Sequence, residues 1–148
     1  MKVYLSGHVE YVPYYVAAEW RKLAKTALNQ MGCVPVDPVG QFMKYRKDPQ
    51  VMVEKELDQL RTADWLLVNG QDLVNRGVGT FMEMGIAFER GIPIMVFGGG
   101  EMERNHPFLQ VLVSRWVANL EEALELLSRE KEKRGEETQE KRISSGGG

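Results

Sequence analysis

The sequence has one cysteine, Cys33, and two histidines, His8 and His106. A single thiol cannot close an internal disulfide, and a lone cysteine is most often a small buried hydrophobe. The two histidines have no ligand spacing around them, so a structural zinc site is not expected. No apolar run approaches the ~20 residues that a membrane span needs. The opening residues, MKVYLSGHVEY, contain no long apolar segment of the kind that leads a secreted chain. An excess of one charge is also missing. Lys and Arg total 19 against 21 Asp and Glu, and no basic stripe stands out. Nucleic acid and membrane are therefore not expected partners, and the chain reads as a cytosolic protein. Two nucleotide signatures are absent as well: there is no G-x-x-x-x-G-K-[ST], and GHVEYV does not supply G-x-G-x-x-G.

What is present is an ordinary globular balance, 43% hydrophobic and 27% charged over 148 residues, which suits one domain with one sizeable core. KVYLSG, from Lys2 to Gly7, is a short β-rich run. Val16, Trp20, Leu23, Ala24, Ala27 and Leu28 recur near helical spacing, and Gly32 stops that helix. CVPV can be a second strand, with DPVG as a loop after it. QVMVEKELDQLRTA reads as a helix, DWLLVNG as a buried strand, and Thr80 to Arg90 as a helix stopped by Gly91. IPIMVFGGG, HPFLQVL and SRWVA follow as strand, short helix and strand. NLEEALELLSREKEKR is a final helix that Asn119 can cap, since Glu122 lies three residues on.

Strands and helices alternate, and the inner strands are nearly continuous apolar runs. That pattern predicts an α/β fold: an open, mostly parallel five-stranded sheet with helices on both faces, Rossmann- or flavodoxin-like. The domain is expected over residues 1–128, with residues 129–148 as a charged, Gly/Ser-ended, disordered tail. Ligands of such a sheet bind beyond the carboxyl ends of the strands. Four polar, glycine-bearing segments meet there: SGHVEY, DPVGQFMKYR, NGQDLVNRGVGT and GGGEMERNHP. In GVGT, Gly77 and Gly79 can present backbone N–H groups to an anion or polar substrate group. Glu83 is the one acid among Phe81, Met82 and Met84. Two readings stand side by side. TFME is a T-x-x-E capping box with Thr80 as N-cap, or Glu83 is a carboxylate placed to attack an electrophilic carbon.

The ordered set VYLSG, EWRKLAKTALNQMGCVPVDP, ELDQLRTADWLLVN and GVGTFMEMGIAFERGIPIMV resembles the nucleoside 2-deoxyribosyltransferase superfamily, with its relatives the deoxynucleoside 5'-monophosphate N-hydrolases. The likeness spans roughly residues 2 to 128. It implies Glu83 as nucleophile on C1' of deoxyribose, Tyr4 positioning it, and a covalent intermediate with retention. It implies substrate contacts at Gly7, His8, Gly77 and Gly79, and no cofactor. An Asp that contacts sugar or base falls on Glu56 here, with Asp58 nearby. Gly77 stands where transferases carry Asp and nucleotide hydrolases carry Ser; Asp72 in the preceding loop is a candidate substitute. Where the hydrolases carry a basic residue for the 5'-phosphate, this chain has Glu10. Both departures point to free 2'-deoxynucleosides and nucleobases as substrates, with Tyr11, Tyr14, Phe42 and Met43 available to stack on a base. The resemblance also implies a dimer-based homo-oligomer with shared sites, Asn105 in ERNHPF being the residue expected at that contact. An N-glycoside hydrolase and a non-catalytic nucleotide sensor are the competing expectations.

Overall fold

The computed structural model describes residues 1–9 and 12–147. Glu10 and Tyr11, expected near the substrate, lie outside the described residues. Five strands form one sheet in the order β2-β1-β3-β4-β5. They are β1 (Lys2–Ser6), β2 (Val34–Val36), β3 (Trp65–Asn69), β4 (Ile94–Phe97) and β5 (Arg115–Val117). The expectation was a mostly parallel sheet; all four strand pairings are parallel. The helices are α1 (Tyr14–Gln30), α2 (Val39–Tyr45), α3 (Pro49–Arg61), α4 (Leu73–Arg76), α5 (Val78–Glu89), α6 (Glu101–Arg104), α7 (Pro107–Leu112) and α8 (Leu120–Ser145).

Side chains alternate across each strand, and that alternation builds two cores. Val3, Leu5, Trp65, Leu67, Met95 and Phe97 face α1 and α8, where they meet Trp20, Leu28, Ala123 and Leu127. Tyr4, Leu66, Val68, Ile94 and Val96 face the other way, onto Leu60 of α3, Met84 and Ala87 of α5, and Leu109 of α7. Removing one such side chain, as in Leu67→Ala, costs about 2–5 kcal/mol. Chain order reverses between β1 and β3. The loops leaving those two strands therefore diverge and open a crevice at their carboxyl ends.

Three local differences from the sequence reading have clear causes. The segment after β2, expected as a loop, coils into α2, and Asp37 Oδ1 accepts the Val39 N–H at 3.0 Å just before it. The T-x-x-E capping box is not made. Helix α5 begins at Val78 with Gly77 as N-cap and no side-chain cap, so Thr80 lies inside the helix and is buried. The charged tail, expected to be disordered, continues α8 to Ser145. Its Glu, Lys and Arg residues are good helix formers, and its first turns are tied down. Arg134 pairs with Asp64 at 2.9 Å, and the Lys131 ammonium donates to the Met31 carbonyl. From Glu132 on the helix is exposed. The Asn119 cap is as expected, accepting the Glu122 N–H at 2.9 Å. Among the described residues no helix is long and apolar enough to cross a membrane.

Candidate active site

A cleft of about 270 Å³ lies at the crevice between the ends of β1 and β3. Three walls form it. Gly7, His8 and Val9 come from the loop after β1; Phe42, Met52 and Glu56 come from α2 and α3; Arg76, Gly79 and Glu83 come from α4 and α5. Five of the residues singled out by sequence thus meet in one place: Gly7, His8, Glu56, Gly79 and Glu83. Tyr4 lies beneath them, fully buried on β1.

Glu83 is in the second turn of α5, on the side that packs toward β1. Tyr4 and Ser6 are two residues apart on that strand and so share its α5-facing side. The Ser6 hydroxyl donates to Glu83 Oε1 at 3.1 Å. Glu83 Oε2 is cut off from solvent and has no hydrogen-bond partner among the described residues; the same holds for Tyr4 Oη. The two groups are electrostatic neighbours nonetheless. Burial pushes the Glu83 carboxyl up to about 7, against the pull of Tyr4, Ser6 and the Arg21 cation, all of which favour the charged form. Burial, followed by the nearby Glu83 charge, drives the Tyr4 phenol well above its ordinary value, so it stays protonated. A carboxylate with this titration exchanges its proton at neutral pH. It can serve as a nucleophile when ionised and as a general acid when protonated.

Glu56 and Asp58 separate clearly. Glu56 lines the cleft from α3, whereas Asp58 is exposed and pairs with Arg61 at 3.0 Å. Gly77 does not line the cleft. A Cβ there would stand 2.7 Å from the Leu73 carbonyl, so the residue is glycine for the tight join of α4 to α5. Gly79 is different: a Cβ would meet open space, so no crowding demands glycine there. Asn105 caps the end of α6, is exposed and does not line this chain's cleft. Asp72 does not line it, and is bound to Arg76 at 3.0 Å and to Asn75 at 2.7 Å. Of the aromatic candidates, Phe42 lines the cleft. Tyr14 and Met43 line a neighbouring cavity of about 640 Å³ that shares Val9 and Phe42 with it.

Three residues of the site escaped the sequence reading. Ser6 was legible from its strand register with Tyr4. Arg21 is a charged residue inside the buried stripe Ala17, Trp20, Ala24 and Leu28 of α1, which is itself a signal. Arg76 gave none, since an Arg in a polar loop is ordinary. Cys33 is buried and free, and His106 accepts the Phe108 N–H at 3.3 Å; neither is near the cleft. Among the described residues no three His, Cys, Asp or Glu side chains cluster as metal ligands.

The fold is similar to several solved structures. A 2-deoxyribosyltransferase from the psychrotolerant bacterium Bacillus psychrosaccharolyticus gives a TM-score of 0.67 at 16% identity, covering 84% of this chain and 90% of that one. A conserved protein from Enterococcus faecalis V583 gives 0.62 at 14%, covering 84% and 95%. A CMP N-glycosidase from Clostridium botulinum gives 0.54 at 17%, covering 86% and 98%. At these identities the likeness establishes the fold alone. No curated protein matches the chain by sequence. The nucleoside 2-deoxyribosyltransferase family model matches residues 3–138. With the sheet order and the cleft as described, the chain belongs to the nucleoside 2-deoxyribosyltransferase family.

Proposed function

We propose that this protein transfers 2-deoxyribose between purine and pyrimidine bases by cleaving the N-glycosidic bond of 2'-deoxynucleosides. The observation that carries the reading is the Glu83 carboxylate, held by Ser6 at 3.1 Å beneath an open cleft. Breaking a bond from C1' to a base nitrogen leaves positive charge on the sugar. A carboxylate on the opposite face can capture C1' as an ester while the base leaves with the bonding pair. A second base then attacks C1' and releases Glu83. Each step inverts C1', so the product keeps the starting configuration. Tyr4 would orient Glu83 from below, and Glu56 would contact sugar or base from α3.

The proposal extends to a homo-oligomer in which a neighbouring chain completes each site. Asn105 is presented outward, near a groove of about 470 Å³ edged by the exposed Phe88, Phe108 and Val111. A mass determination by light scattering checks the oligomer.

A second reading has one observation in its favour. Arg76 gives the cleft wall a cation, and the CMP N-glycosidase shares the fold. Hydrolysis of a nucleoside monophosphate is that alternative. One experiment separates the two. Incubated with deoxyinosine and adenine, a transferase yields deoxyadenosine and hypoxanthine. A monophosphate hydrolase makes no new nucleoside from these, and given the monophosphate it releases free base and sugar 5-phosphate. Release of free sugar alone, or no reaction, refutes the transferase reading. Glu83→Ala should remove several orders of magnitude of rate, and a variant keeping a tenth of the activity would rule Glu83 out as nucleophile.

A further inference from the structure

Arg21 is completely buried, the largest side chain among the described residues to be so. A guanidinium cannot be deprotonated at ordinary pH, so it stays inside only when paired and hydrogen-bonded. Its partners are few and specific. Nη1 donates to the Ala17 carbonyl at 2.7 Å, and Nη2 donates to the Gly7 carbonyl at 3.0 Å. Nε lies 3.6 Å from Asp37 Oδ1, and the group stacks on the Trp20 ring at 4.7 Å. Asp37 is shared with Lys25 at 2.8 Å. Arg21 thus joins the two loops at the carboxyl ends of β1 and β2.

Gly7 connects this network to the site. It lines the cleft, and it follows Ser6, whose hydroxyl holds Glu83. There is no slack at this point: a Cβ on Gly7 would stand 3.3 Å from Asn69 Cβ and 3.3 Å from Trp20 Cζ2. A purely structural contact of this size is commonly filled as well by an apolar side chain. We propose that Arg21 is a positioning residue of the site. It fixes the Gly7 carbonyl, and with it the Ser6–Glu83 hydrogen bond and the cleft floor, and it places a cation against Gly7, next to the serine that holds the Glu83 carboxylate. The functional consequence rests on the reading of Glu83 given above; the geometry does not.

Other titratable or charged side chains lie against Glu83 or line the cleft with it, so the test must isolate Arg21. Tyr4 comes from β1, His8 from the following loop, Glu56 from α3 and Arg76 from α4. Arg76 is already paired with Asp72, at 3.0 Å. Asp37 acts through Arg21 by offsetting its charge. The Arg21 cation favours the charged form of the Glu83 carboxylate.

The experiment follows the Glu83 carboxyl carbon by NMR in full-length protein labelled with 13C-glutamate, during a pH titration. The signal is identified by its loss in Glu83→Gln. In Arg21→Met the midpoint should rise by about one unit or more, since an opposite charge has gone. Arg21→Lys, which keeps the cation, should cancel most of that rise and leave the midpoint close to that of the parent. In Asp37→Asn the midpoint should fall, because Arg21 loses the acid that offsets it. An unmoved midpoint in folded Arg21→Met overturns the proposal. If Arg21→Met does not fold, Asp37→Asn and Arg21→Lys decide: an Asp37→Asn midpoint that does not fall, or an Arg21→Lys midpoint displaced by about a unit or more, overturns it equally. No substrate enters this measurement. Midpoints that move as stated in a protein without base exchange leave the role of Arg21 standing and refute the transferase reading alone.

Discussion

Glu83→Gln should stabilise the protein, and by an amount that grows with pH. Burial raises the Glu83 carboxyl from 4.5 to about 7. Each pKa unit corresponds to about 1.36 kcal/mol, so the ionised side chain costs the fold about 3 kcal/mol. The sign follows from proton counting. Between pH 4.5 and about 7 the folded state holds a proton on Glu83 that the unfolded state has released. Stability from this group is fully present below pH 4.5 and is lost as pH rises through about 7. Glutamine has the shape of the protonated acid and does not ionise. The stability difference between Glu83→Gln and the parent should therefore be near zero at pH 4.5 and approach about 3 kcal/mol at pH 8. Comparing the two proteins at each pH cancels other titrations, such as that of Asp64. Burial acts to raise that carboxyl, but the Lys2 N–H and Arg134 hold it below its ordinary value, so its contribution is lost at acid pH. Urea unfolding at four pH values between 5 and 8 measures the difference. A flat profile would refute the reasoning, and one that falls with pH would mean that Ser6, Tyr4 and Arg21 outweigh burial.

Tyr4→Phe should lower kcat by about 10²-fold through loss of a placed hydroxyl. It should lower stability by no more than about 1 kcal/mol, because the phenol gives up its favourable interaction with the Glu83 carboxylate but is also relieved of its own burial; a steady-state assay beside a thermal melt checks both. Gly70→Ala should destabilise the protein by about 1–3 kcal/mol, since its Cβ would stand 2.7 Å from Val96 Cγ1 and 2.9 Å from the Phe97 carbonyl; a drop in Tm of only a degree would contradict this. By the resemblance that puts Glu10 and Gly77 where the hydrolases carry phosphate-binding residues, free deoxynucleosides should have the higher kcat/KM than their 5'-monophosphates. Deoxycytidine against deoxycytidine monophosphate is the comparison, and a preference for the monophosphate would favour a phosphate role for Arg76.

The fold was legible because its determinants are local and repetitive. The apolar runs of β3 and β4 admit only a sheet covered on both faces, and Gly32 and Gly91 stop their helices at positive φ. Glu83, Gly7, His8, Glu56 and Gly79 could be gathered because they sit at strand ends or on helices that face them. The capping box at Thr80 misled, because a T-x-x-E pattern says nothing about where the preceding turn joins. Gly77, crowded by Leu73, starts the helix earlier. The tail misled for a different reason. Composition registers its charge but not that Arg134 reaches Asp64, seventy residues back in the chain and adjacent in space. Arg21 lay hidden because helical periodicity counts a charged residue as surface, and only the packing reveals which loops it holds.

The direction of the pH dependence decides how Glu83 is used. As a nucleophile it must be ionised, so kcat/KM should rise with pH through the free-enzyme value of about 7 and level off above it. As a general acid donating to the leaving base it must be protonated, and kcat/KM should fall through the same value. The carboxyl's position near neutrality makes both limbs measurable without approaching acid unfolding. Tyr4 does not interfere, since its phenol is held protonated well above this range. The transferase reading requires the rising limb. It also requires that limb to move in parallel with the Glu83 carboxyl signal when Arg21 or Asp37 is replaced. A falling limb would assign the proton on Glu83, not its charge, to the chemistry. Direct attack by water would then become the mechanism to pursue, with Glu56, the other acid lining the cleft among the described residues, available to activate it.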